Sequence, residues 1–139
     1  MKRIDVNLLV LAAARDAELS PVQLQKALFL IGQKCPEMVS NDYYTFVPYH
    51  YGPFDKQVYR DVETLQRQGL AKESASTWKS YRATEAGRQH AHDIELEIPS
   101  LARYVEQLVG WVRDQSFEEL LRAVYTEFPT YKSQSIFRG

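Results

Sequence analysis

A single cysteine, Cys35, is all that this 139-residue chain carries, so no internal disulfide can form and no second thiol stands ready for a metal or redox pair. Beside Pro36, it reads as a filler at a helix end. No apolar run reaches the roughly 18 residues that a bilayer demands, and Met1-Lys-Arg-Ile-Asp5 lacks the zones of a signal peptide, so a cytoplasmic location without membrane contact is expected. There is no Gly-rich phosphate loop. Catalytic patterning is equally sparse. His90 and His92 are two apart on an expected helix and so turn to different faces, His50 has no carboxylate or thiol beside it, and Glu118-Glu119 have a capping explanation. No enzyme, cofactor or metal site is expected. A formal charge of −1 argues against a protein that coats nucleic acid indiscriminately, a task that needs many phosphate contacts.

What is present is ordinary globular material: 45% hydrophobic and 25% charged residues, enough for one domain over 1–139 with its own core. Charge is unevenly spread. From Tyr51 to His90 seven Lys and Arg oppose five Asp and Glu, a balance of +2, whereas from Asp93 to Phe128 three oppose eight, a balance of −5. Nucleic-acid contact, if made, belongs to the middle of the chain.

Asp5 is expected to cap a helix over about Val6 to Ala17, whose Leu8, Leu9, Val10, Leu11 and Ala12 leave little polar face and call for a central position. Ser20-Pro21 pairs a cap with Pro at the first helical position. The helix it starts repeats Leu24, Ala27, Leu28 and Ile31, turns Gln23, Lys26, Gln33 and Lys34 the other way, and ends near Cys35-Pro36. A short extended piece around Tyr44 to Pro48 follows, with Pro48 arguing against a central strand. The stretch Tyr43 to Phe54 crowds aromatic residues around Gly52-Pro53, a lead-in that fixes the angle of the next helix. That helix, about Asp55 to Gln68, carries the stripe Phe54, Val58, Val62, Leu65 and closes at Gly69. Leu70 to Ala83 leaves room for two short strands around the loop Ser74-Ala-Ser-Thr77, with Trp78, Tyr81 and Arg82 in the returning strand. Thr84 caps a helix over about Glu85 to Leu96 and Pro99 starts another. Ser116-Phe-Glu-Glu119 is a capping box for the last, and Tyr131 to Gly139 reads as a tail. The order is that of a mainly α fold with a small β-hairpin wing: a winged helix-turn-helix over 5–90 with a C-terminal helical extension over 93–139 suited to dimerisation.

Leu24-Gln-Lys26, Leu28-Phe-Leu30, Phe46-Val-Pro-Tyr-His-Tyr-Gly-Pro-Phe54, Val58-Tyr59, Gly69-Leu70 and Tyr81-Arg-Ala-Thr-Glu-Ala-Gly87 together resemble the YwgA-like family of prokaryotic winged-helix proteins. More loosely they resemble the phage-associated Panacea-domain antitoxins, which share the Tyr-Gly-Pro step. The resemblance covers roughly residues 5 to 90, with a fainter echo in Val124-Tyr-Thr-Glu-Phe-Pro-Thr-Tyr131. It implies a prokaryotic or phage protein with a DNA-binding type of fold, tied to regulation, toxin neutralisation or phage defence. Phe54 after Tyr-Gly-Pro and Ala83 before Thr-Glu-Ala-Gly87 depart from the antitoxin pattern.

A reading helix needs long donors on its exposed face, since Arg and Lys reach guanine edges and phosphates and Gln pairs with adenine. Lys56, Gln57, Arg60, Thr64 and Arg67 supply such a set, with Lys79 and Arg82 of the wing as phosphate contacts. The same residues also suit a plain solvated face or a protein interface. The insert before this helix is long for a helix-turn-helix, which usually joins its helices in about 3 to 4 residues. Tyr49, Tyr51, Gly52, Pro53 and Phe54 are either a packed motif that sets the helix angle or a surface for another protein, such as a toxin or defence-system component. The expected partners are duplex DNA and a second copy of the chain, with the protein-binding module as the alternative.

Overall fold

The computed structural model describes residues 1–74 and 76–137; Ala75 of the expected wing loop and Arg138 and Gly139 of the expected tail lie outside the described residues. Among the described residues there are six helices and two small antiparallel hairpins, and no helix is long and apolar enough to cross a membrane. The helices are α1 (Arg3–Ala13), α2 (Pro21–Lys34), α3 (Gln57–Arg67), α4 (Glu85–Glu95), α5 (Pro99–Asp114) and α6 (Phe117–Glu127). Strands β1 (Val47–Tyr49) and β2 (Gly52–Phe54) form the first hairpin, and β3 (Ala71–Glu73) and β4 (Tyr81–Ala83) the second; single 3-10 turns follow α2 at Pro36–Met38 and α6 at Pro129–Lys132.

Helix α1 is central, as its sequence demands. Residues Val6 to Leu11 are all buried, and the helix packs against α2, α3, α4, α5 and β4. It begins earlier than the Asp5 cap suggests, with Lys2 at the cap and Asp5 inside the first turn, where its charge still complements the helix dipole. It also stops earlier, at Ala13, followed by a left-handed Arg15 with φ 58°.

Local caps account for three other starts. Ser20 Oγ accepts from the Gln23 amide at 3.1 Å while Gln23 Oε1 accepts from the Ser20 amide at 2.8 Å, and Ser116 and Glu119 repeat this reciprocal box on α6. Thr84 caps α4 through the Gly87 amide at 3.0 Å and donates to the Gly69 carbonyl at 2.7 Å. That second bond ties the end of α3 to the start of α4 across the base of the β3–β4 hairpin. A Cβ on Gly87 would stand 1.9 Å from the Leu70 carbonyl oxygen, so only glycine lets α4 lie this close.

The first hairpin departs from expectation. Gly52-Pro53 does not lead straight into the helix; the chain turns at His50-Tyr51 and runs back as β2, in the register Val47 with Phe54, Pro48 with Pro53 and Tyr49 with Gly52. Neither proline can donate, so their pairing falls at the non-hydrogen-bonded position of the ladder, where no amide is needed. Phe54 therefore belongs to β2 and not to the stripe of α3, and α3 begins at Gln57 rather than at about Asp55.

The expected tail is docked along its described length. Tyr131 packs on Phe29 with ring centroids 4.8 Å apart, the Tyr125 hydroxyl donates to Ser135 Oγ at 2.7 Å, and the Ile136 amide donates to the His50 carbonyl at 3.0 Å. Buried Cys35 closes α2 as its position beside Pro36 suggests; burial, and then the charge of Glu37, hold its thiol protonated beyond the ordinary range.

Candidate nucleic-acid interface and aromatic hairpin

Helix α3 is pinned from below by apolar and polar contacts together. Val58, Val62 and Leu65 are buried. Between them Asp61, also buried, accepts hydrogen bonds from the Tyr44 hydroxyl at 2.6 Å, Arg3 Nε at 3.0 Å and Gln57 Nε2 at 2.9 Å. Asn7 of α1 joins the cluster, donating to the Tyr44 oxygen at 3.0 Å and the Val58 carbonyl at 3.2 Å. Burial, and next the hydrogen bond to Asp61, push the Tyr44 phenol far above its usual range, so it stays a donor. Two other segments, α1 and the aromatic insert, thereby fix the rotation of α3.

With the inner face fixed, the opposite face is fixed too. Lys56, Arg60 and Arg67 are exposed, and none of them forms an ion pair among the described residues. Thr64 lies between, its hydroxyl donating to the Arg60 carbonyl at 3.1 Å and accepting from Arg67 Nη2 at 3.0 Å. Gln57 stands apart from this set. It is half-buried, and its amide is engaged by Asp61, so of the five helix residues singled out in the sequence it is the one turned inward.

In the second hairpin Lys72 and Arg82 are directly opposed across the ladder. Like charges at this spacing repel, and an anionic partner would relieve them. Lys79 is exposed, and Trp78, expected in the returning strand, instead sits in the connecting loop with 83% of its surface exposed. The groove between α3 and this hairpin is lined by Glu63 and Glu73 as well as by Lys79, so its charge is mixed. The hairpin is anchored from outside: the Leu19 amide donates to the Tyr81 carbonyl at 2.9 Å and the Tyr81 amide returns the bond at 2.9 Å, a strand-like bridge just before α2.

The aromatic insert folds onto itself and leans on α2, α6 and the terminal turn, leaving the outer face of α3 uncovered. Its aromatic residues divide between interior and surface. Tyr44 is buried and Tyr43 and Phe46 are half-buried, whereas Tyr49 and Tyr51 at the hairpin tip are exposed. Tyr49 stacks on Phe54 at 4.6 Å, and Tyr51 meets the exposed Phe117 edge-on at 5.4 Å. Gly52 adopts φ +91°, and a Cβ there would approach Lys26 Cε to 3.1 Å and Tyr125 Cε1 to 3.4 Å.

Lys26 is the residue that the sequence placed wrongly. Helical spacing turned it toward solvent, yet it is 2% exposed and donates to the Pro53 carbonyl at 3.1 Å. Desolvation lowers its pKa to about 7. Every position of α2 from Leu24 to Ile31 is buried, because α1, α5 and the hairpin enclose the helix, and a one-face reading of periodicity cannot register that. Compared with known proteins, the chain matches no family model, no curated protein and no solved structure.

Proposed function

We propose that this chain is a winged-helix protein that binds duplex DNA, with α3 as the reading helix, β3–β4 as the wing, and a regulatory role. The observation that carries the reading is the basic face of α3, Lys56, Arg60 and Arg67, which forms no ion pair among the described residues and is held outward by the Asp61 cluster on the inner side. Long cationic donors on a rigid helix suit phosphates and guanine edges. The opposed Lys72 and Arg82 add a second cationic point on the hairpin. Element order supports the topology: α1, the Leu19 bridge to β4, α2, then α3 and its hairpin follow the winged-helix succession. The resemblance to YwgA-like proteins agrees with it. In this picture α5 and the acidic α6 point away from DNA and pair two copies, with the exposed Trp111 of α5 at the contact.

Titrating a mixed-sequence duplex into isotopically labelled protein tests the reading. Amide signals of Arg60, Arg67, Lys72 and Arg82 shift together while those of Glu118 and Arg122 on α6 stay still. Shifts confined to the β1–β2 hairpin, or none at low salt, overturn it.

A second reading has its own support. Tyr49, Tyr51, Phe117 and Ile136 are exposed, and the hairpin, α6 and C-terminal segment that carry them touch one another. Exposed tyrosines next to apolar neighbours suit a protein partner, an antitoxin-like or adaptor role. Replacing Tyr49 and Tyr51 by Ala then abolishes a protein complex and leaves DNA binding untouched.

A further inference from the structure

Between the start of α2, the β1–β2 hairpin and Tyr59 of α3 lies a cavity of about 240 Å³, with Gln25, Lys26, Tyr49, Tyr51, Phe54 and Tyr59 among its walls. At about 30 Å³ per water it has the room of roughly eight waters, too small for a nucleotide and right for one ring with a short substituent. The Gln25 amide is already engaged, by the Asp55 backbone at 3.0 and 3.1 Å and by the Tyr59 hydroxyl. Lys26 is only partly engaged. Its ammonium has three donors, one bonded to the Pro53 carbonyl, and no carboxylate forms an ion pair with it among the described residues. Burial without a counter-charge leaves this amine only partly protonated near neutral pH, and an anion entering from the cavity side would hold it as the ammonium.

We propose that this cavity binds a small aromatic carboxylate, its ring against Tyr49, Phe54 and Tyr59 and its carboxylate on the Lys26 ammonium. Aromatic walls select a flat apolar body, and the single buried cation selects one negative charge. The site rests on none of the residues assigned to DNA, so it stands or falls separately.

The test compares 4-hydroxyphenylacetate with its neutral amide, 4-hydroxyphenylacetamide, by calorimetry and by NMR of the Lys26 side chain and the tyrosine rings. The acid binds at least tenfold tighter than the amide, and its addition moves the Lys26 Cε signal together with the Tyr49 and Tyr59 rings. Lys26→Met, an apolar replacement of similar length, abolishes the preference for the acid, and Phe54→Ala weakens both compounds. Equal affinity for acid and amide, no binding of the acid at millimolar concentration, or a Lys26 signal that stays still while the acid binds overturns the proposal. The last readout needs no variant.

Discussion

Leu19 and Tyr81 exchange backbone hydrogen bonds of 2.9 Å in each direction, joining the residue that precedes the α2 cap to the returning strand of the second hairpin. The ring of Tyr81 then lies 6.2 Å from that of Tyr59 on α3, and burial first, then the nearby Tyr59, Glu73 and Glu63, push its phenol up to about 12. One residue thus couples the lead-in to α2, the hairpin and α3. Tyr81→Ala is expected to cost about 3 kcal/mol through the cavity it leaves, whereas Tyr81→Phe costs less than about 1 kcal/mol. Urea denaturation of the two variants checks this.

Gly87 is the steric hinge between α4 and the end of α3. With a Cβ position 1.9 Å from a backbone oxygen, Gly87→Ala forces α4 away from Leu70 and breaks the Thr84 contact with Gly69. A loss of about 2 kcal/mol or more is expected. The midpoint of chemical denaturation falls, and amide exchange quickens in Leu70 and Thr84 before it does in α1.

Asp61 gathers donors from α1, the insert and α3 itself. Asp61→Ala strands the Tyr44 hydroxyl and the Arg3 guanidinium, at a cost of about 3 kcal/mol, reduced from the fully buried case because the Arg3 side chain keeps 30% of its surface exposed. Tyr44→Phe removes the bond it donates to Asp61 and the one it accepts from Asn7, and costs about 2 kcal/mol. Thermal melts distinguish the two.

Lys26 makes stability depend on pH. Its unfolded pKa is 10.5 and its folded value about 7, so between them the unfolded chain binds a proton that the native chain does not. Stability therefore rises as pH rises from 7, by up to about 1.4 kcal/mol per pH unit. The titratable groups around it are the phenols of Tyr125 on α6, Tyr49 and Tyr51 on the hairpin and Tyr59 on α3, with no carboxylate paired to it among the described residues. Measured from pH 7 to about 8, wild type gains stability while Lys26→Met stays nearly flat.

Much of the helical frame was legible because its signals are local: Ser20-Pro21, Thr84 and Ser116 with Glu119 each fix a start within four residues. The β1–β2 hairpin was not, since Pro48 and Pro53 both argue against a strand unless they face one another at a position that needs no amide, and register is a property of two segments. Burial of Lys26 and Asp61 was hidden for a related reason. Lys26 lies on the polar side of its helix and Asp61 is a charged residue within the apolar side of its own, and only a third layer, the hairpin for one and Tyr44 with Arg3 for the other, encloses them. On the outer face of α3 the reverse holds: Arg60 and Arg67 follow from the Val58, Val62 and Leu65 stripe alone, whereas the inward turn of Gln57 required the position of Asp61.

The salt dependence of duplex binding, compared between wild type and the Arg60→Ala, Arg67→Ala double variant, tests the central claim most directly. If both guanidiniums neutralise phosphates, the slope of log affinity against log salt becomes shallower by about 1.8 in the variant, at about 0.9 for each phosphate left without its cation, while its thermal melt matches wild type. Identical slopes and affinities for the two proteins, or no duplex binding by wild type at low salt, contradict the account.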